Sequence, residues 1–436
     1  MQHKQSSRGF ASLNSRIALG VSVVVVLMGA VLLVRIFAAA AVGMVEPESA
    51  TRTAGAEPRN DNQASQGSYL LFGAAGVPPS DGTGVLDIRS LGVACDGVLD
   101  DTGPLQAALS TLKPGQTVKI PEGVTCRHND LLHITQPGVR IEGPGTLMAT
   151  NEERSGMWLM AKGITLENLK LTIGATTKRW EAYEQQRLRL AADDITIRKV
   201  KIEGSAAAGM YIGGKSGNFL VEDVEVLNTR ADGIHTTQGA HDGIIRRPLV
   251  SGVGDDGVAM VSYVQDVDVV RAVTIESPKI LNNTNGRGIS VVGGEDITYK
   301  DIHIEGSNAA AVYIAAEGQW NTHGVKRVKV LGGSISGANT NAAVDHGAVF
   351  LYSSQDQYAV EDTVLQDITI TDTNPAISRQ VGIVTDGAAR VLRSDLTNFT
   401  INGGGQSVFT SDEVVTEYNT LNWKRDGVAL PDHKGF

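Results

Sequence analysis

The sequence predicts an all-β fold, a right-handed parallel β-helix, and three observations carry that prediction. The first is composition: 436 residues with 50 glycines and only 5% aromatics suit many short strands joined by turns better than a helical bundle. The second is a recurring phrase of alternating apolar residues, among them "GITLENLKLT" at 163, "DDITIRKVKIEG" at 193, "GNFLVEDVEVLNT" at 217, "VDVVRAVTIES" at 267 and "EDITYKDIHIEGS" at 295. Most starts follow one another at the length of one β-helix coil, and the alternation has period two rather than 3.6. The third is a second run in each unit: "GMYIGG" (209), "GIHTTQG" (233), "GVAMVSY" (257), "GISVVGG" (288), "AVYIAAE" (311) and "AVFLYSS" (348). Two strand-sized runs per unit, repeated at coil length, stack coil on coil.

Taken in chain order, residues 1–16 are a basic segment containing His3, Lys4, Arg8 and Arg16. An apolar stretch follows over 17–44. Its first eighteen residues would span roughly 27 Å as a helix, close to a bilayer core, with the cationic flank held in the cytoplasm. This reads as a transmembrane anchor, with a cleavable signal peptide as the rival, since "AAAA" offers small residues for cleavage. Either way the body of the protein is expected to be extracytoplasmic, membrane-anchored or secreted. Residues 45–68 are polar and aperiodic, a flexible linker. The β-helix is expected over 69–436. Its two cysteines, Cys95 and Cys126, form a disulfide or stay as buried thiols.

A net charge of −10 gives no basic footprint for nucleic acid. No Gly-rich phosphate loop and no Ser-His-Asp arrangement stands out. Asp345 and His346 in "DHG" have no further ligands at metal-binding spacing. No cofactor and no metal is expected, and a monomer is the default.

Aligning the second runs places Asp232, Asp256, Arg287, Ala310 and Gly347 at one register position. Asp232 and Asp256 are one coil apart, so they should stack about 4.8 Å from each other along the axis. Asp255 sits beside Asp256. Asp-Gly is ordinary turn chemistry, but like charges at strand spacing destabilise unless paired, solvated or protonated. Two phrases in register with an Asp doublet point instead to carboxylates that protonate a leaving group and activate water. His235 lies two residues past Gly233, on the outward parity that Ser290, Tyr313 and Phe350 share on later coils. Arg287 could pair with Asp256 or bind a substrate hydroxyl, Tyr313 could stack on a substrate ring, and Glu317 ends its strand. Those four, His235, Arg287, Tyr313 and Glu317, are the candidate substrate contacts. Trp180, Tyr183 and Trp320 fall in loops and read as packing residues first.

The segment "DIRSLGVACDGVLDDTGPLQAAL" (87–109) followed by "VKIPEGV" resembles the entrance of the pectin-lyase-like β-helix superfamily. The resemblance covers roughly residues 85–405. It implies a short capping helix and structural roles for Asp96, Asp100 and Asp101. It specifies fold rather than chemistry, because lyases, hydrolases, epimerases and binding proteins share it. Within it, "NTRAD", "GDD" and "GRG" resemble less closely the polygalacturonase pattern of glycoside hydrolase family 28. The widened first motif, the Arg in place of a His and the missing RIK weaken a pectin substrate. "ADGIH…GDDGVAM" is more similar to family 87, the α-1,3-glucanase and mycodextranase group, and this local match runs over 228–294. That resemblance implies an inverting, metal-independent hydrolase of a neutral glucan-type polysaccharide, with Asp255 as general acid and Asp232 and Asp256 on the attacking water. The rivals are a polysaccharide lyase or epimerase acting on a uronate polymer, and a non-catalytic glycan-binding β-helix.

Overall fold

Strands of three to five residues form wherever the alternation places aliphatic side chains on one face. Thr165–Glu167, Thr196–Arg198 and Leu220–Glu222 each bury only their central residue, Leu166, Ile197 and Val221. In the computed structural model, residues 56–60, 68–72, 84–405, 407–412 and 416–436 are described. The chain divides into two units, Met1–Gly76 and Val77–Phe436. In the first, Ala56–Asn60 pairs antiparallel with Ser68–Phe72, so part of the stretch read as a linker is strand. The apolar segment 17–44 lies outside the described residues; among those described, no helix is long and apolar enough to cross a membrane.

The second unit is an all-β parallel solenoid. One sheet holds eleven parallel strands in chain order, from Leu132–Ile134 to Ser407–Ser411. The remaining faces of each coil carry strand pairs such as Thr165–Glu167 with Lys170–Ile173, each in register with the next coil. A column of buried Ile, Leu and Val runs the length of the interior. On the outside, Arg198, Glu222, Arg246, Glu276 and Lys300 alternate in sign on successive coils, pairing at 2.7–3.4 Å. Such exposed pairs add little stability, but they let charged residues stack without repulsion.

The helix Thr102–Thr111 buries Leu105, Ala108 and Leu109 at helical spacing and packs on the first coils. The entrance acids are structural, as expected. Asp101 accepts the backbone N–H groups of Cys95 and Arg127, and Asp96 accepts those of Val98 and Leu99. Cys95 and Cys126 form a disulfide. It closes a separation of 31 residues, and a loop of that size stabilises by about 3–4 kcal/mol through the unfolded chain. The double variant Cys95→Ala/Cys126→Ala should lower the urea midpoint by a corresponding amount, and reductant should do the same to the parent. Equal midpoints would show that the bond contributes nothing.

The packing has one feature that no periodicity marks. Arg187 is fully buried just before the strand Leu188–Leu190. It donates to the carbonyls of Leu147 (2.8 Å), Ser155 (2.9 Å) and Thr172 (3.2 Å), and reaches His128 Nε2 at 3.3 Å.

Candidate active site

The eleven-stranded sheet turns the predicted register into geometry. Ile234, Val258, Ile289, Val312 and Val349 are successive partners, which stacks Asp232, Asp256 and Arg287 two residues earlier on adjacent coils. The glycine after each has a steric cause. A Cβ on Gly257 would lie 2.4 Å from the Gly288 carbonyl oxygen, and one on Gly233 would lie 2.6 Å from that of Gly257. On these coils the neighbouring chain approaches too closely for a side chain at that position, whereas the later coils carry Ala311 and Ala348 there. The glycines of the repeated phrase are therefore packing requirements, whereas the charged residues before them are free to serve chemistry.

Asp232, Asp255 and Asp256 each place a carboxylate oxygen within 4.8 Å of the others. Asp232 Oδ1 accepts the N–H of Asp256 at 3.0 Å, and Asp256 Oδ1 accepts the N–H of Arg287 at 2.8 Å, so backbone donors fix both across coils. His235 Nδ1 lies 2.5 Å from Asp232 Oδ2, within hydrogen-bond distance. The Arg287 guanidinium lies 3.7 Å from Asp256 and 3.5 Å from Glu317. A residue that sequence reasoning missed completes the set: Arg179 donates to Asp255 Oδ2 at 2.6 Å. Oxygens this close could ligate a divalent cation, and two guanidinium groups and two backbone N–H groups also face them.

Burial raises the pKa of Asp255, with the charge of Asp256 adding to it and Arg179 and Arg287 opposing. Asp256 is also raised, by burial first; Arg287 opposes and Asp232 reinforces. Glu317 is raised by burial too, against the Tyr313 hydroxyl that donates to it at 2.7 Å. Crowded carboxyls with raised pKa values are the condition under which one of them keeps a proton at mildly acidic pH and can act as a general acid.

Two adjoining hollows of about 380 and 490 Å³ meet over the cluster and share Arg179, Glu181, Asp232, His235 and Tyr263. The first extends past Tyr183 and Tyr211. The second holds all three aspartates and runs to Arg287, Glu317 and Trp320. Trp320 is 62% exposed on this rim, so it is not the packing residue its loop position suggested. His235, Arg287 and Glu317 line the second hollow. Tyr313 does not. It is 2% exposed, with the Arg287 guanidinium 4.3 Å from its ring centre and the rings of His346 and Phe350 stacked beside it. Its outward parity was correct, but loops and neighbouring side chains cover that face, and Tyr313 braces Arg287 and Glu317 rather than meeting a sugar. Asp345 is engaged by Ser378 and Arg379.

A protein family described as "right handed beta helix region" matches residues 185–324. No curated protein matches the chain. Among solved structures, the catalytic unit of a thermostable GH87 α-1,3-glucanase from Streptomyces thermodiastaticus strain HF3-3 superposes with a TM-score of 0.59 at 16% identity, covering 83% of this chain and 71% of that one. A GH87 α-1,3-glucanase catalytic domain in complex with nigerose gives 0.59 at 16%, over 74% of this chain and 63% of the other. This chain thus spans about two thirds of the length of those domains. Further complexes of such a catalytic domain, with nigerose or tetrasaccharides, carry alanine at one of three aspartates, one of them preceding an adjacent pair. The A-module of an Azotobacter vinelandii mannuronan C-5 epimerase gives 0.55 at 17%, over 74% of this chain and 97% of the module. By fold, the chain is a right-handed parallel β-helix of the pectin-lyase-like type.

Proposed function

We propose that the chain is an extracytoplasmic glycoside hydrolase that cleaves a neutral glucan-type polysaccharide with inversion and without a metal. The observation that carries this reading is the cluster of Asp232, Asp255 and Asp256 at the junction of two hollows, with Asp255 and Asp256 raised in pKa. The interval from Asp232 to the adjacent pair Asp255 and Asp256 equals the interval between the first aspartate and the adjacent pair substituted in the glucanase complexes. The disulfide supports an oxidising compartment.

In the reaction, Asp255 gives its proton to the glycosidic oxygen as the bond from that oxygen to the anomeric carbon breaks. A water held between Asp232 and Asp256 attacks the same carbon from the opposite face and passes its proton to one of them. Asp232 suits the holding role because both of its oxygens are fixed, by the Asp256 N–H and by His235. Arg287 offsets the charge of Asp256 while the water is activated.

The compactness of the cluster favours a second reading. Nearest oxygens within 4.8 Å are closer to the roughly 5–5.5 Å separation of retaining sites than to the roughly 6.5–9.5 Å of inverting ones. In a retaining site Asp256 would attack the sugar directly. Proton NMR of the first product from an α-linked glucan separates the two. We expect the β-anomer to appear first and mutarotate later; an initial α-anomer would establish retention.

A further inference from the structure

Arg179 reaches the carboxylate cluster from outside the ladder. It belongs to the excursion between the strands Lys170–Ile173 and Leu188–Leu190, and 76 residues separate it from the aspartate it touches. The excursion is pinned on three sides. Thr176 accepts from Arg230, Thr177 donates to Glu152, and the Trp180 backbone N–H donates to the Ala206 carbonyl at 2.9 Å. From this platform Arg179 Nε donates to Glu181 at 2.9 Å, which aims the guanidinium, and its Nη1 meets Asp255 Oδ2 at 2.6 Å. The side chain lines both hollows and is 39% exposed, so whatever lies across the cluster passes against it.

We propose that Arg179 is a positioning residue that orients Asp255 and strengthens it as an acid, setting the alkaline edge of the activity. This rests on the hydrolase reading above, in which Asp255 must begin protonated and end as a carboxylate. A guanidinium at 2.6 Å favours the carboxylate, so it stabilises the product of proton transfer while narrowing the pH range in which the proton is present. The other charged or titratable groups lining the hollow with Asp255 are Asp256, Asp232, Glu317, Glu181, His235, Tyr263 and Arg287. The four carboxylates oppose its ionisation, His235 is engaged by Asp232, and Arg287 is the other guanidinium. It is already shared by Asp256 and Glu317. Among the described residues, Arg179 is therefore the cation whose hydrogen bond is directed to the Asp255 carboxylate.

The test is the pH dependence of kcat/KM for the parent, Arg179→Gln and Arg179→Lys. Arg179→Gln should move the alkaline limb upward by about one pH unit, the scale for losing an adjacent opposite charge, and lower kcat. Arg179→Lys, which keeps the charge, should return the limb to within a few tenths of the parent. A lower rate with the limb unmoved would reduce Arg179 to a packing or sugar-contacting role and overturn the proposal. A second readout does not need activity: the ¹³C-carboxyl titration of Asp255, assigned by its absence in Asp255→Asn. If the parent cleaves no glucan, the hydrolase reading fails, yet a higher Asp255 midpoint in Arg179→Gln still supports the coupling, and equal midpoints refute it.

Discussion

Replacing Asp255 with Asn should lower kcat on the cleaved glucan by at least about 10³-fold, while KM and the unfolding midpoint change little. Loss of a general acid removes protonation of the leaving group, and general acid–base steps contribute about 10²–10⁴-fold. Asn keeps the size of the side chain and can still accept from Arg179, so the cleft should stay intact. The steady-state split is the check: kcat and kcat/KM falling together identify an interaction made only in the transition state. A variant within a few-fold of the parent would remove Asp255 from the chemistry and pass the role of acid to Asp256, the adjacent buried carboxyl whose pKa is also raised. Asp256→Asn should also be severe, but its effect mixes catalysis with structure, because Asp256 is buried against Arg287 and accepts its N–H.

An effect on stability comparable to that of the disulfide is expected at Arg187. Arg187→Met should cost about 3 kcal/mol or more, because the carbonyls of Leu147, Ser155 and Thr172 would lose a charged donor without gaining access to water. The same cluster makes stability depend on pH. His128 is held down to about 3, by burial first and by the Arg187 charge second. In the unfolded chain it titrates near 6.5. Between those values the unfolded chain binds a proton that the folded one refuses, so stability falls as pH drops through 6.5 toward 3. From pH 7.5 to 5.5 this amounts to about 1 kcal/mol. Urea unfolding at both pH values, on the parent and on His128→Gln, tests it: the parent should lose about 1 kcal/mol more than the variant on acidification. A loss of the same size in both would place the acid sensitivity elsewhere.

What the sequence made legible was the part governed by period. Alternation and coil length gave the solenoid, and aligning the second runs placed Asp232, Asp256 and Arg287 in one column and His235, Ser290, Tyr313 and Phe350 in another. The β-ladder enforces both, since a slip of one residue would turn every side chain to the other face. What stayed hidden lies where no period acts. Arg179 sits in an irregular excursion whose contact with Asp255 is set by the folded path of the loop, and nothing in "TTKRWEAYEQQ" marks it. Arg187 reads as one more charged residue beside a strand, and only its four acceptors explain its burial. Parity placed Tyr313 on the outside of its coil but was silent on the loops that cover it. The pairing of Cys95 with Cys126 was open in the sequence because a separation along the chain does not fix a distance in space.

The most direct test of the central claim, a glucan-cleaving carboxylate cluster, is product analysis of the full chain on a panel of polymers. The panel should include α-1,3- and other α-glucans, pectin, arabinan and mannuronan, each with the parent and with Asp255→Asn. The account predicts reducing sugar from a neutral α-glucan, absent with Asp255→Asn. Unsaturated uronate products, or C5 inversion in mannuronan without chain cleavage, would contradict it and assign the cluster to lyase or epimerase chemistry.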